Sequence, residues 1–284
     1  MTRPPFEGEW RTGALQGFAA HNGPIWQDPA AGRLALQIQP ARTNITGRFH
    51  GGMAMSLQSL AFAQAAGQAA RKAQPQAGAA LLTLHCELID SAVVGDWVAA
   101  ATRVERVTRT LVFLTGGMAC GERKLMAASA VFQIGEAATQ PDLRNAVAEV
   151  RPSGYHVLDP VDAFCAHVGP IYERYDENKE RFGGFHVSPR HLDADGGDAV
   201  DTGMLMMLAD LYLGRRARIA AGGVCVTLGM TLSQVAPMRL GDLVEIDSRL
   251  EGQTSEVVIV TGSFRVAGRL VMSATSSWKK VHPR

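Results

Sequence analysis

Net charge is almost absent from this chain: Lys and Arg number 28 against 27 Asp and Glu, which leaves +1. Such a balance gives no field able to hold a polyanion, and no run of Lys and Arg is long enough to serve as a basic tail. Nucleic acid is therefore not expected as a partner. Cysteine is scarce too. Cys86, Cys120, Cys165 and Cys225 are scattered without a CxxC spacing among apolar or small neighbours, and they read as reduced core thiols. No window approaches the roughly 20 apolar residues of a membrane span, and Met1 to Gly8 lack the apolar stretch of a signal peptide. No membrane partner and a cytoplasmic location are expected. The eight histidines show neither HxxxH nor HExxH spacing, and the acidic segment from Asp193 to Asp201 lacks the pattern of a calcium loop, so no metal or other cofactor is expected. A GxSxG nucleophile elbow is also missing, which excludes an α/β-hydrolase mechanism.

What the chain does have is apolar mass and a repeat. Hydrophobic residues make up 46% and charged residues 19% of 284 positions, a globular balance with length enough for two ordinary cores. Residues 18–26 read FAAHNGPIW and residues 164–172 read FCAHVGPIY. The correspondence continues with Thr83-Leu84 against Thr227-Leu228, Gly95-Asp96-Trp97-Val98 against Gly241-Asp242-Leu243-Val244, and Ala128 to Phe132 against Ala274 to Trp278. Two homologous halves follow from this. Between Glu136 and about Tyr155, Pro141, Pro152 and Gly154 interrupt any periodicity. The expected domains are residues 1–137 and 156–284, with 138–155 as linker.

Each half has the same layout. A stretch rich in Ala, Met and Leu, about 52–72 and about 203–221, has the length and propensity of a buried helix. Four runs of alternating Val, Thr, Phe and Leu follow, near 80–89, 97–107, 110–120 and 124–134, and near 224–235, 243–251, 255–266 and 269–280. Gly-bearing turns between them mark antiparallel strands. One more strand is predicted ahead of each helix, at Leu34–Gln39 and Phe185–Pro189. The class is α+β, a curved sheet wrapped around one long helix.

At the first helix entrance stand Asn44, Gly47, His50, Gly51, Gly52 and Met53, spaced NxxGxxHGGM. With the element order, with Gly95 to Val98 and with Arg109-Thr110-Leu111-Val112-Phe113, this motif resembles the phenylacetate-pathway type of the hot-dog acyl-CoA thioesterases. The resemblance covers nearly all of residues 33–134. It is weaker in the second half, where Pro189, Gly203 to Leu205, Leu208-Ala209-Asp210, Val226 to Leu228 and Gly241-Asp242 carry it. It implies a double hot-dog: two antiparallel sheets, each around a long central helix, related by a pseudo-twofold axis and joined edge to edge. It also implies an acyl-CoA substrate, sites shared between the two units, and the option of a homo-oligomer of double hot-dog chains.

In that family one unit supplies the Asn and the Gly-rich helix start, and its partner supplies a helix carboxylate and a strand hydroxyl. The carboxylate stands nine residues after the motif histidine. Nine residues from His50 is Ser59, which is no base; in the second half Asp201 holds the histidine position and Asp210 the carboxylate position. The second half has lost its Gly-rich entrance, which reads Asp201-Thr202-Gly203, and Asp193 or Asp195 replaces the asparagine. One complete site is thus expected, with Asp210, Asn44, Gly52 and Thr227 catalytic and His50, Gly51 and Met53 binding substrate. The opposite site, with Asp193, Asp201 and Thr202 against Ser59 and Thr83, is expected to be inactive.

The chemistry asks for these residue types. Amides at a helix start point outward and favour the negative charge that develops on a thioester oxygen, and a positioned carboxylate deprotonates water or attacks the carbonyl directly. The plainer readings are a tight helix turn for Gly51-Gly52, a strand residue for Thr227, a satisfied strand histidine for His85, core filling for the methionines, and a shared structural role for His21 and His167. Two other functions compete. One is a non-catalytic acyl-CoA binder or sensor; the other is a hot-dog hydratase or dehydratase, whose Asp-x-Asn-Pro-x-His or His-Phe-Pro segments are missing.

Overall fold

The computed structural model describes residues 3–137, 150–177, 181–193 and 197–281. Residues 138–149, most of the expected linker, lie outside the described residues, as does Asp195. In the first half the order is β1 (Arg11–Thr12), α1 (Gly17–His21), β2 (Trp26–Asp28), β3 (Arg33–Gln37), α2 (Gly51–Ala73), β4 (Ala77–Leu88), β5 (Trp97–Val107), β6 (Leu111–Cys120) and β7 (Arg123–Glu136). The second half repeats it with β8 (His156–Leu158), α3 (Ala163–Val168), β9 (Ile171–Tyr175), β10 (Arg181–His186), α4 (Thr202–Ala221), β11 (Cys225–Gln234), β12 (Leu243–Gln253), β13 (Val257–Val266) and β14 (Arg269–Lys280).

α2 runs about 34 Å and is buried nearly all round by Met53, Met55, Leu57, Leu60 and Phe62, with Ala61, Ala66, Ala69 and Ala70 letting the sheet approach closely. α4 repeats this with Met204 to Leu208, Tyr212 and Leu213. Its last turn ends on Gly222 in the left-handed region, with φ 67°, where a Cβ would be strained. The strand predicted at Phe185–Pro189 instead spans Arg181–His186, because Pro189 opens a short 3-10 turn (Pro189–His191) and cannot donate to a ladder. Pro40 ends β3 in the same way. Tyr155, expected in the linker, is buried and hydrogen-bonds Glu245 at 3.1 Å.

Among the described residues all strands form one antiparallel sheet of 14, in the order β1-β2-β3-β5-β6-β7-β4-β11-β14-β13-β12-β10-β9-β8. The second seven repeat the first seven in reverse, which is the signature of a twofold axis through the β4–β11 seam. The two expected sheets are therefore continuous, and pairing these edges removes the exposed ladder each half would otherwise present. His85 and Thr231, 146 residues apart, face each other across the seam and hydrogen-bond at 2.8 Å. His21 and His167, also 146 apart, stack with ring centroids 4.5 Å apart, and His21 Nε2 donates to His167 O at 2.8 Å.

This constant offset corrects one correspondence. The bulge in β4 falls between Leu81 and Thr83, and the bulge in β11 between Thr227 and Gly229. Thr227 therefore corresponds to Leu81, not to Thr83, and the opposite pseudo-site has a buried leucine where this half has a hydroxyl.

The two arms exchange between halves. The Phe18 amide of α1 donates to Leu192 O in the second half, and the Phe164 amide of α3 donates to Thr43 O in the first. Each arm thus docks at the entrance of the other half's long helix.

Candidate active site

His50 forms the N-cap of α2, and its Nδ1 accepts the Gly52 amide at 3.0 Å. A cap of this kind is worth about 1 kcal/mol and fixes the ring at the helix mouth. α4 packs against α2 so that Asp210, only 4% exposed, reaches this mouth from the other half. Its Oδ2 lies 3.4 Å from His50 Nδ1, and its Oδ1 accepts the Thr227 hydroxyl at 2.7 Å. A Cβ on Gly52 would meet Asp210 Oδ2 at 3.0 Å, and one on Gly51 would meet Thr227 Oγ1 at 3.1 Å. Glycine is what allows the two halves to close to this distance.

Burial pushes the Asp210 carboxyl above the ordinary carboxylate range; His50, the Thr227 hydroxyl and the Gly52 amide pull it back, and nearby Asp162 raises it further. A raised carboxyl that still accepts the Thr227 hydroxyl suits reversible proton transfer.

A cavity of about 630 Å³ opens beside these groups. His50, Gly51, Asp210 and Thr227 line it, with Leu88, Met118, Met126, Leu211 and Trp278 giving apolar wall and Arg48, Arg215, Arg218 and Lys279 giving positive charge. Asn44 also borders it, but its Oδ1 is engaged by the Thr46 amide (2.9 Å), the Thr46 hydroxyl (2.7 Å) and the Arg48 amide (3.2 Å), which leaves its NH2 as the group available to a ligand. Met53 is not brought to the cavity; it is 1% exposed and packs in the core.

At the opposite entrance Asp201 caps α4, accepting the Gly203 and Met204 amides at 2.7 and 3.2 Å. Ser59 is fully buried and returns its hydroxyl to Met55 O at 2.8 Å. A Cβ on Gly203 would meet Ser56 O at 2.9 Å, so the α2 backbone presses on this entrance.

Reading the sequence missed the contribution of the second arm. Asp162 caps α3 by accepting the Cys165 amide at 2.8 Å, its Oδ2 lies 3.7 Å from His50 Nε2, and Phe164 packs on His50 with centroids 4.3 Å apart. The signal was present in the repeat, where Asp162 stands opposite Gln16. His50, Asp162 and Cys165 offer ligand atoms within 4.8 Å of one another. They do not fit a metal: a neutral imidazole whose Nδ1 accepts the Gly52 amide carries its proton on Nε2, the atom a metal would need.

A family model described as the thioesterase superfamily matches residues 46–127. PA0474 of Pseudomonas aeruginosa, provisionally named an esterase, is 30% identical over 101 residues, which are 36% of this chain and 73% of that protein. Among solved structures, one from Thermobifida fusca provisionally named thioesterase II superposes with a TM-score of 0.66 at 16% identity, covering 96% of this chain and all of that one. A hot-dog protein of Alicyclobacillus acidocaldarius gives 0.62 at 15% identity (88% of this chain, 94% of that one), and acyl-CoA thioesterase II TesB2 of Mycobacterium marinum gives 0.57 at 14% (88% and 95%). These structural likenesses reach across both halves and establish the fold. The chain belongs to the thioesterase superfamily, as a double hot-dog.

Proposed function

We propose that the protein hydrolyses an acyl-CoA to free acid and CoA at one site, between the α2 entrance of the first half and α4 of the second. The observation that carries this reading is the buried Asp210, held by Thr227 against the Gly51-Gly52 helix start on the wall of a cavity. The Gly52 amide is engaged by His50, so the Gly51 amide, on the cavity wall, is the donor for the thioester oxygen. Such a donor is worth about 2.7–4 kcal/mol when charge develops there. Asp210 takes a proton from water as the water attacks the carbonyl carbon. The tetrahedral intermediate then collapses, the C–S bond breaks, and Asp210 returns the proton to the departing thiolate. Direct attack by Asp210 to give an anhydride is the alternative route through the same groups. The Asn44 amide is placed to hold the carbonyl or the water. Arg218 and Lys279 supply positive charge beside the cavity for the phosphates of CoA.

Free thiol released from a panel of acyl-CoAs tests this directly. Steady turnover with one ligand site per chain is expected. Saturable binding of a non-hydrolysable analogue without any thiol release would replace the enzyme by a binder, and two equally occupied sites per chain would sink the single-site reading.

A further inference from the structure

We propose that Asp162 is a positioning residue for the reaction: its carboxylate keeps the His50 proton on Nε2, so that Nδ1 stays an acceptor and locks the start of α2 against Asp210. The inference rests on the thioesterase reading above.

Four observations carry it. His50 Nδ1 accepts the Gly52 amide at 3.0 Å, which requires an unprotonated Nδ1. Nε2 points at Asp162 Oδ2, 3.7 Å away, and the Asp162 side chain is only 7% exposed. A contact of that length is an electrostatic one rather than a hydrogen bond. Asp162 cannot swing away, because the Cys165 amide pins its other oxygen, and Phe164 restrains the opposing ring. Capping α3 accounts for one oxygen of Asp162. It does not account for the second, buried and turned toward an imidazole of the other half.

The fourth observation is the repeat. The two arms dock equivalently, through Phe18 N to Leu192 O and Phe164 N to Thr43 O. Where the long helix is capped by His50, the arm carries Asp162. Where it is capped by Asp201, the arm carries Gln16, whose side chain makes no cap hydrogen bond. At equivalent positions of the repeat, the arm therefore carries a carboxylate where the long helix is capped by an imidazole, and a neutral amide where it is capped by a carboxylate. A second carboxylate beside Asp201 would be repelled.

The test uses Asp162→Asn and Asp162→Ser, both of which keep an acceptor for the Cys165 amide and so keep the cap. With an acyl-CoA that the wild-type protein turns over, kcat is expected to fall about 10- to 100-fold, the scale of a misplaced reacting group, with KM within about threefold. The acid limb of kcat/KM should also move to lower pH. Asp210 is faced by His50, Asp162, the Thr227 hydroxyl, the Gly52 amide and Cys165, and the variants remove the one carboxylate that raises it. Gln16→Ala should behave as wild type. Nitrogen NMR of the ring gives a readout independent of turnover, with His50 expected as the Nε2–H tautomer. Wild-type kcat in both variants, a loss of kcat with an unmoved acid limb, or an Nδ1–H tautomer in the wild-type protein would each overturn the assignment. A wild-type protein silent toward every acyl-CoA would overturn the thioesterase reading and this inference with it; unaffected variants of an active enzyme overturn this inference alone.

Discussion

Adding one methyl group at Gly52 asks whether the two halves share a site. In an ordinary helix Gly→Ala is favourable by about 1 kcal/mol, and Gly52 does not have the left-handed backbone that would forbid the change. The new Cβ would, however, stand 3.0 Å from Asp210 Oδ2, 3.2 Å from His50 Nδ1 and 3.3 Å from Asp210 Cβ. Comfortable heavy-atom contacts lie near 3.5–4.0 Å, so Asp210 or His50 must retreat by roughly half an ångström. Overpacking of this kind costs about 1–3 kcal/mol. Set against the helix gain, the net loss of stability is about 0–2 kcal/mol, a shift of a few degrees in Tm. Activity should suffer far more, because the displaced groups are the base and the residue that orients it. A fall of at least about tenfold, toward a hundredfold, is expected in initial-rate assays of thiol release. A Gly52→Ala protein with rate within about threefold of wild type would refute the claim that Asp210 and the α2 entrance act as one site.

Asp210→Asn should lower turnover by at least about a hundredfold while Ser59→Ala changes it by less than about threefold, since the Ser59 hydroxyl only returns to its own helix; equal losses would reverse the assignment of halves. Because burial raises the Asp210 carboxyl, the folded protein binds a proton that the unfolded chain releases above its ordinary value. Stability therefore falls as pH rises from that value through the raised one. Thermal melts should accordingly find Asp210→Asn at least as stable as wild type at neutral pH, with the advantage shrinking in acid; a less stable variant at pH 7 would contradict this sign. Thr227→Val should cost about tenfold in kcat and Thr227→Ser much less, as only the hydroxyl to Asp210 matters. Residues 1–137 expressed alone should lack a cooperative melt, because the β4 edge and one face of α2 would lose β11 and α4; a well-folded monomer would show that the seam is dispensable.

The amino-acid sequence by itself determined the elements and the repeat. The buried face of α2 extends nearly all round the helix, the strands alternate with period two, and Pro40 and Pro189 stop the strands before each helix. Those are local consequences of burial and backbone chemistry, so they can be read along the chain. The motif around His50 and the lone carboxylate at Asp210 also pointed to opposite halves of one site, since nine residues of helix can be counted without coordinates. What only the tertiary structure decided is everything that depends on which strand faces which. The correspondence of Thr227 with Leu81 hinges on bulges in β4 and β11, and a slip of two residues keeps every side chain on its own face, so the hydrophobic pattern does not register it. Asn44 is a catalytic candidate by its spacing, and only the structure shows that its oxygen closes a local turn and leaves the NH2; Met53 is a substrate-binding candidate by its place in the motif, yet the helix phase turns it into the core. Asp162 meets His50 only because the arms exchange between halves, a contact between residues more than a hundred positions apart that no local pattern encodes.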